Sequence, residues 1–112
     1  FDNKVVRATL HDNATTRSLA ERLPLTIPMR NLYSREMVYR FPDALPTDDV
    51  SVRGYEVGEI VYYPPFHSFV ILYAQNGERF SMQPLGRVEA GIELFEDVPD
   101  ASGTIELTSS GD

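Results

Sequence analysis

The sequence predicts an all-β domain: about eight short strands closed into an antiparallel barrel, with one or two short helices. Three observations predict it. Apolar and polar residues alternate with period two in one short run after another, which puts successive side chains on opposite faces of a sheet. Breaks rich in Gly, Pro, Asn and Asp separate these runs, the spacing of β-sandwiches and barrels. The 112 residues make a single domain, 1–112, long enough to close one core without a metal or disulfide. With strands this short, joining the first to the last removes unpaired edges.

The elements follow in order. Residues 4–10 alternate, with Val6, Ala8 and Leu10 on one face and Val5, Arg7 and Thr9 on the other. His11-Asp12-Asn13 breaks that run. Asn13 or Thr15 then caps a helix over 14–22 by accepting a hydrogen bond from a free backbone N–H. Leu19 and Leu23 lie one turn apart on its buried side, and Pro24 stops it. In 23–29, Leu23, Leu25, Ile27 and Met29 alternate with Pro24, Thr26 and Pro28. Proline cannot donate to a ladder, so this strand is an edge or has a free side. Residues 36–41 alternate again through Met37, Tyr39 and Phe41, and 42–58 reads as loop.

The strongest strands are 59–63 and 68–74, both rich in β-branched and aromatic residues. Pro64-Pro65-Phe66-His67 joins them as a stiff aromatic loop. Asn76-Gly77 predicts a tight hairpin, since a type I′ turn needs positive φ at both central residues. The returning strand is 79–84, with Phe80 and Met82 alternating against Arg79, Ser81 and Gln83. Leu85-Gly86-Arg87-Val88 leads into a short helix near 89–96. A last strand near 103–108 turns Ile105 and Leu107 inward.

The net charge of −7 is unevenly spread. Residues 1–87 hold all ten basic and ten of the seventeen acidic residues, so the acidic excess belongs to the C-terminal stretch. Nucleic-acid binding, which needs clustered Lys and Arg, is not expected. No apolar run approaches a membrane span, so no membrane partner is expected either. The absence of cysteine excludes disulfides, thiolate zinc sites and cysteine nucleophiles. It does not fix the compartment, for which the cytoplasm is favoured. The chain begins at Phe1 rather than Met, as a processed or trimmed chain does.

Asp12-Asn13, Leu23-Pro24-Leu25-Thr26, Tyr33 with Glu36, Gly58-Glu59-Ile60, Tyr62-Tyr63-x-Pro65, Leu72-Tyr73 and Leu85-Gly86-Arg87-Val88 follow one another in order. Together, from about Val5 to Phe95, they make the chain resemble the bacterial cyclophilin-like family of small prokaryotic domains. The resemblance implies a closed eight-stranded barrel capped by helices, the architecture of peptidyl-prolyl isomerases. It leaves the biochemical role undefined, and it implies a role for Glu36, where the family pattern tends to carry Glu.

Isomerisation needs no nucleophile. It needs a donor that weakens amide resonance across a barrier of about 18–20 kcal/mol. Arg79, directly before Phe80-Ser81-Met82-Gln83-Pro84, echoes the arginine and Phe-Met-x-Gln-Gly-Gly stretch of true cyclophilins, but the spacing differs and no Gly-Gly follows. Arg17 on the capped helix is the other candidate donor. The plainer reading of Phe80 and Met82 is core packing. A non-enzymatic role is therefore favoured: a peptide segment or small molecule held in a groove on the barrel, lined by Tyr62, Phe66, His67, Phe80, Met82 and Gln83, with Tyr63 as an alternative to Tyr62. A structural domain, monomeric or homodimeric through strand 23–29, is a further reading. Arg35 and Arg40 also carry forks suited to carboxylates or carbonyls. No cofactor is expected. His11, Asp12 and His67 have no metal-ligand spacing, and no Gly-rich phosphate loop is present.

Overall fold

The computed structural model describes residues 6–32, 35–75, 77–97 and 101–105. They form eight strands and one α-helix: β1 (Arg7–Leu10), α1 (Ala14–Ala20), β2 (Leu25–Leu32), β3 (Glu36–Arg40), β4 (Ser51–Arg53), β5 (Glu59–Tyr63), β6 (Ser68–Leu72), β7 (Phe80–Ala90) and β8 (Ala101–Ile105). Single 3₁₀ turns occupy Pro64–Phe66 and Ile92–Asp97.

All strand pairs are antiparallel, in the order β1-β7-β5-β6-β3-β2-β8, with β4 added to β7. Six strands, β1 to β2, make one continuous ladder. β8 pairs only with Leu25–Met29 of β2, and β4 only with Phe80–Met82 of β7. The expected closed barrel is therefore corrected to a curled open half-barrel, because β1 and β8 are not paired with each other. Leu19 of α1 and Phe95 of the second turn complete the large core, so its burial does not require the two edges to meet. Among the described residues the edges are short, with four residues in β1, five in β8 and three in the added β4, which limits the template offered to another chain.

Asn13, not Thr15, caps α1. Its Oδ1 accepts the Thr16 N–H at 2.9 Å, and the Thr16 hydroxyl accepts the Asn13 N–H at 2.9 Å. Thr15 donates to the Pro46 carbonyl at 2.6 Å, tying the helix to the loop after β3. The helix ends at Ala20, and its fully buried Leu19 contributes about 2 kcal/mol of apolar burial.

Several sequence expectations are corrected. The Asn76-Gly77 hairpin does not pair 68–74 with 79–84: β5 lies between β6 and β7. β6 also stops at Leu72, and the Tyr73 and Ala74 amides both donate to the Arg35 carbonyl. Gly77 does have φ of 81°, while Asn76 lies outside the described residues. The returning strand runs on to Ala90, so no helix begins at 89; the 3₁₀ turn starts only after Gly91, at φ of 94°. The stretch 42–58 contains β4. The free side expected for 23–29 is narrowed, since β8 covers Leu25–Met29 along one side. Leu107 of the last strand lies outside the described residues.

β7 organises the sheet. It pairs with β4, β5 and β1 in succession, and a register shift opposite Ile60 and Val61 bends it between partners. Gly86 sits where β1 crosses closest. A Cβ there would run into the Thr9 carbonyl oxygen and approach Leu10 Cα, which is why this position takes glycine.

Candidate functional site

The strands alternate cleanly between two faces. Met37 of β3, Ile60 and Tyr62 of β5, and Phe69, Ile71 and Tyr73 at β6 join the large core with Leu19 and Phe95. The intervening residues, Val61, Val70, Leu72 and Met82, form a second, smaller buried cluster with Tyr55 on the opposite face, against which Val38, Tyr63 and Phe80 pack. Glu36, Val38 and Arg40 share this second face by the period-two rule.

Above that apolar floor runs a row of rings. Phe66 meets Tyr63 edge-on with centroids 5.6 Å apart, Tyr63 meets Phe80 edge-on at 5.7 Å, and Phe80 meets Tyr55 at 6.1 Å. Such geometry suits the positive edge and negative face of each ring. Guanidinium groups sit on the row: Arg40 lies 4.8 Å from the Phe66 centroid and Arg35 lies 5.5 Å from that of Phe80. Phe66 is 52% exposed, unusual for a large apolar side chain on a rigid element. The rigidity comes from Pro64 and Pro65 in the 3₁₀ turn and from His67, whose left-handed φ of 50° turns the chain back into β6.

Arg35 and Glu36 form a buried ion pair at one end of the row. Burial pushes the Glu36 carboxyl above the usual range, and the adjacent Arg35 charge pulls it back only in part. Burial would lower Arg35, but Glu36 and Glu78 outweigh it and hold the guanidinium firmly protonated, with Glu78 2.6 Å away. Arg53, paired across the strands with Phe80, bonds Glu59 at 2.7 Å. Burial works against the Glu59 charge, yet Arg53 and the Glu56 amide hold its carboxyl below the ordinary range.

The residues expected to line one groove are divided between the two faces. Phe66, Phe80, Met82 and Glu36 come together on the second face, with Met82 wholly buried in the floor. Tyr62 and Gln83 are cross-strand partners on the opposite face. The Tyr62 hydroxyl accepts the Leu45 amide at 2.9 Å. Gln83 Oε1 accepts the Asp48 and Asp49 amides at 3.0 and 2.7 Å. Both hold down the loop after β3. The half-buried His67 serves the turn, with its carbonyl accepting the Phe41 amide at 2.8 Å. Arg17 bonds Asp12 at 2.8 Å on the exposed side of α1, away from the aromatic row. Arg79 turns from Phe80 toward the Val52 carbonyl, at 3.5 Å. Tyr63 and Tyr55 are the row's additional members; the alternation of Tyr63 with Tyr62 was the signal for the first.

A separate open depression of about 510 Å³ is lined by Thr9, His11, Arg53, Glu56, Glu59, Gly86, Arg87 and Glu89. Its charges are spent on one another: Arg87 bonds Glu56 at 2.7 Å, Arg53 bonds Glu59, and the Thr9 hydroxyl bonds Glu89. Among the described residues no three His, Asp or Glu side chains gather as a metal site.

The fold and this surface define a small, mostly β domain that carries an aromatic, arginine-edged sheet face. A model of the Cyclophilin-like family matches residues 1–110, and the chain belongs to that family. No curated protein matches it.

Proposed function

We propose that this domain is a binding module that takes an extended peptide segment along the Phe66–Tyr63–Phe80 row. The observation that supports it is the row itself: three rings in edge contact, one of them half exposed, standing on a buried strand floor. Such amphipathic rings supply contact area at low conformational cost, because the strands already fix them. With ring spacings of 5.6 and 5.7 Å, the row is spanned by about four residues of extended chain.

The test is titration of ¹⁵N-labelled protein with the acetylated, amidated peptide Gln-Gln-Ala-Phe-Ala. Saturable shifts confined to β3, β5, the 64–67 turn and the start of β7 support the reading. Shifts centred on Thr9, His11 and Arg87 instead would move the site to the charged depression and overturn it.

The isomerase alternative draws support only from Arg79, next to Phe80 in the chain. A protease-coupled proline-peptide assay decides it: a rate equal to the uncatalysed one, in protein with a cooperative melt, removes isomerisation and leaves binding untouched.

A further inference from the structure

We infer that the aromatic face selects acidic peptide segments, with a carboxylate side chain bound between Arg30 and Arg40 beside the ring row. The inference rests on the peptide-binding reading above and names its substrate class.

The cations of this face fall into two groups. Arg35 and Arg53 are neutralised by Glu36, Glu78 and Glu59. Arg30 and Arg40 are not: among the described residues no carboxylate lies within ion-pair distance of either. Both are exposed. Arg30 pairs in register with Val38, and Arg40 follows Val38 by two residues on the same strand. They are therefore diagonal neighbours on one face, with Cα atoms about 7–8 Å apart. Arginine side chains starting from that spacing are long enough to meet at one carboxylate, which would face two cations with no carboxylate partner among the described residues. Arg40 is also positioned already, stacked on Phe66, so less side-chain freedom is lost when it binds.

The half-buried Val38 lies beside this pair, and Phe66 and Tyr63 lead from it toward Phe80. An extended segment thus meets two guanidinium forks first and an apolar run next. The complementary sequence carries one or two acidic residues followed, two positions on, by an aromatic or aliphatic one. The protein's overall charge of −7 acts against an acidic ligand only at long range, since fields are screened over about 8 Å at physiological ionic strength.

The experiment compares three acetylated, amidated pentapeptides by calorimetry and shift mapping: Glu-Glu-Ala-Phe-Ala, Gln-Gln-Ala-Phe-Ala and Lys-Lys-Ala-Phe-Ala. The acidic peptide is expected to bind about tenfold more tightly than the Gln peptide, the effect of one charge-assisted hydrogen-bonded contact. That advantage should shrink between about 50 and 300 mM salt. The double variant Arg30→Gln/Arg40→Gln should bind the acidic and Gln peptides alike while keeping the wild-type melting temperature. Equal binding of the two by wild type would overturn the acidic preference while leaving the peptide reading in place. No binding of any of the three would overturn both. Sedimentation showing a dimer that dissociates in the double variant would also overturn it, by assigning the arginine pair to a second copy of the chain.

Discussion

The two faces of the sheet are made from the same strands, residue by alternate residue, yet they are finished differently. The helix-side face buries fourteen clustered residues among those described and is sealed by α1, the 92–97 turn and the loop that Tyr62 and Gln83 hold down. Among the described residues the other face buries five, rimmed by rings and arginines. Both faces are apolar at the floor, because side chains pack over each of them: Leu19 and Phe95 on one, Tyr55, Tyr63 and Phe80 on the other. The difference lies in the cover. One face gained a helix and a loop, and its polar groups became internal ties. The other kept Phe66, Arg30 and Arg40 at the surface. Phe66, half exposed on its proline-stiffened turn, is the part of that face on which the binding proposal rests.

This contrast breaks most easily at Tyr62. Replacing it with Ala empties the larger core and leaves the Leu45 amide without its acceptor. The expected loss is about 4 kcal/mol in chemical unfolding. A loss below about 1 kcal/mol would mean that Tyr62 is not the buried tie described here. Gly86→Ala comes next, because the new Cβ meets backbone rather than a movable side chain. About 3 kcal/mol is expected, together with loss of amide-exchange protection in β1, the strand that must move away.

How much of this was legible in the sequence depended on how local each signal was. The capped helix, β5, β6 and the stiff 64–67 turn are written in neighbouring residues: a short polar side chain before a helix, β-branched runs, paired prolines. Strand order is not written that way. Asn76-Gly77 is a strong hairpin signal, but nothing local says that β5 will lie between β6 and β7. β4 is too short to show a period. The aromatic face was half visible for a related reason. Ile60-Val61-Tyr62-Tyr63 is apolar at every position, so alternation fixes which residues share a face without saying which face is sealed. The pattern alone thus puts Tyr62 and Gln83 in a groove, whereas Tyr62 packs in the core and Gln83 bonds the Asp48 and Asp49 amides. Phe66 and Phe80 both lie on the open side, with Tyr63 between them.

The carboxylates sharpen the contrast through pH. Glu59 is held below its ordinary range, so it stabilises the fold above the unfolded-state pKa, and that contribution is lost as pH falls through the lower folded value. Glu36 is held above its range and acts in the opposite sense: stability declines as pH rises from the ordinary carboxylate value through the folded one. Glu59→Gln should lose about 1 kcal/mol at neutral pH, a figure reduced for the partly exposed Arg53 partner, and should approach wild type only as pH falls below the lowered folded-state value of Glu59. Denaturant midpoints measured from acid to neutral pH check this. A gap between the two proteins that stays constant across the range would show that the Arg53 pair does not set the Glu59 titration.

The smallest expected effect on stability belongs to Phe66→Ala, and it separates the two faces most sharply. Phe66 is 52% exposed, contacts Tyr63 by its edge and carries Arg40 on its face. The turn beneath it is set by Pro64, Pro65 and the His67 backbone, none of which the substitution alters. Removing the ring should therefore change the unfolding free energy by no more than about 1 kcal/mol, against about 4 for Tyr62 on the sealed side. Arg40, without its ring, loses its fixed position, so both the apolar contact and the charged one should weaken together. Peptide affinity is expected to fall by more than tenfold while the melt stays near wild type, since desolvated aromatic anchors often dominate binding energy. If instead Phe66→Ala unfolds the domain as readily as Tyr62→Ala, the second face is a core like the first, and its rings serve the fold rather than a ligand.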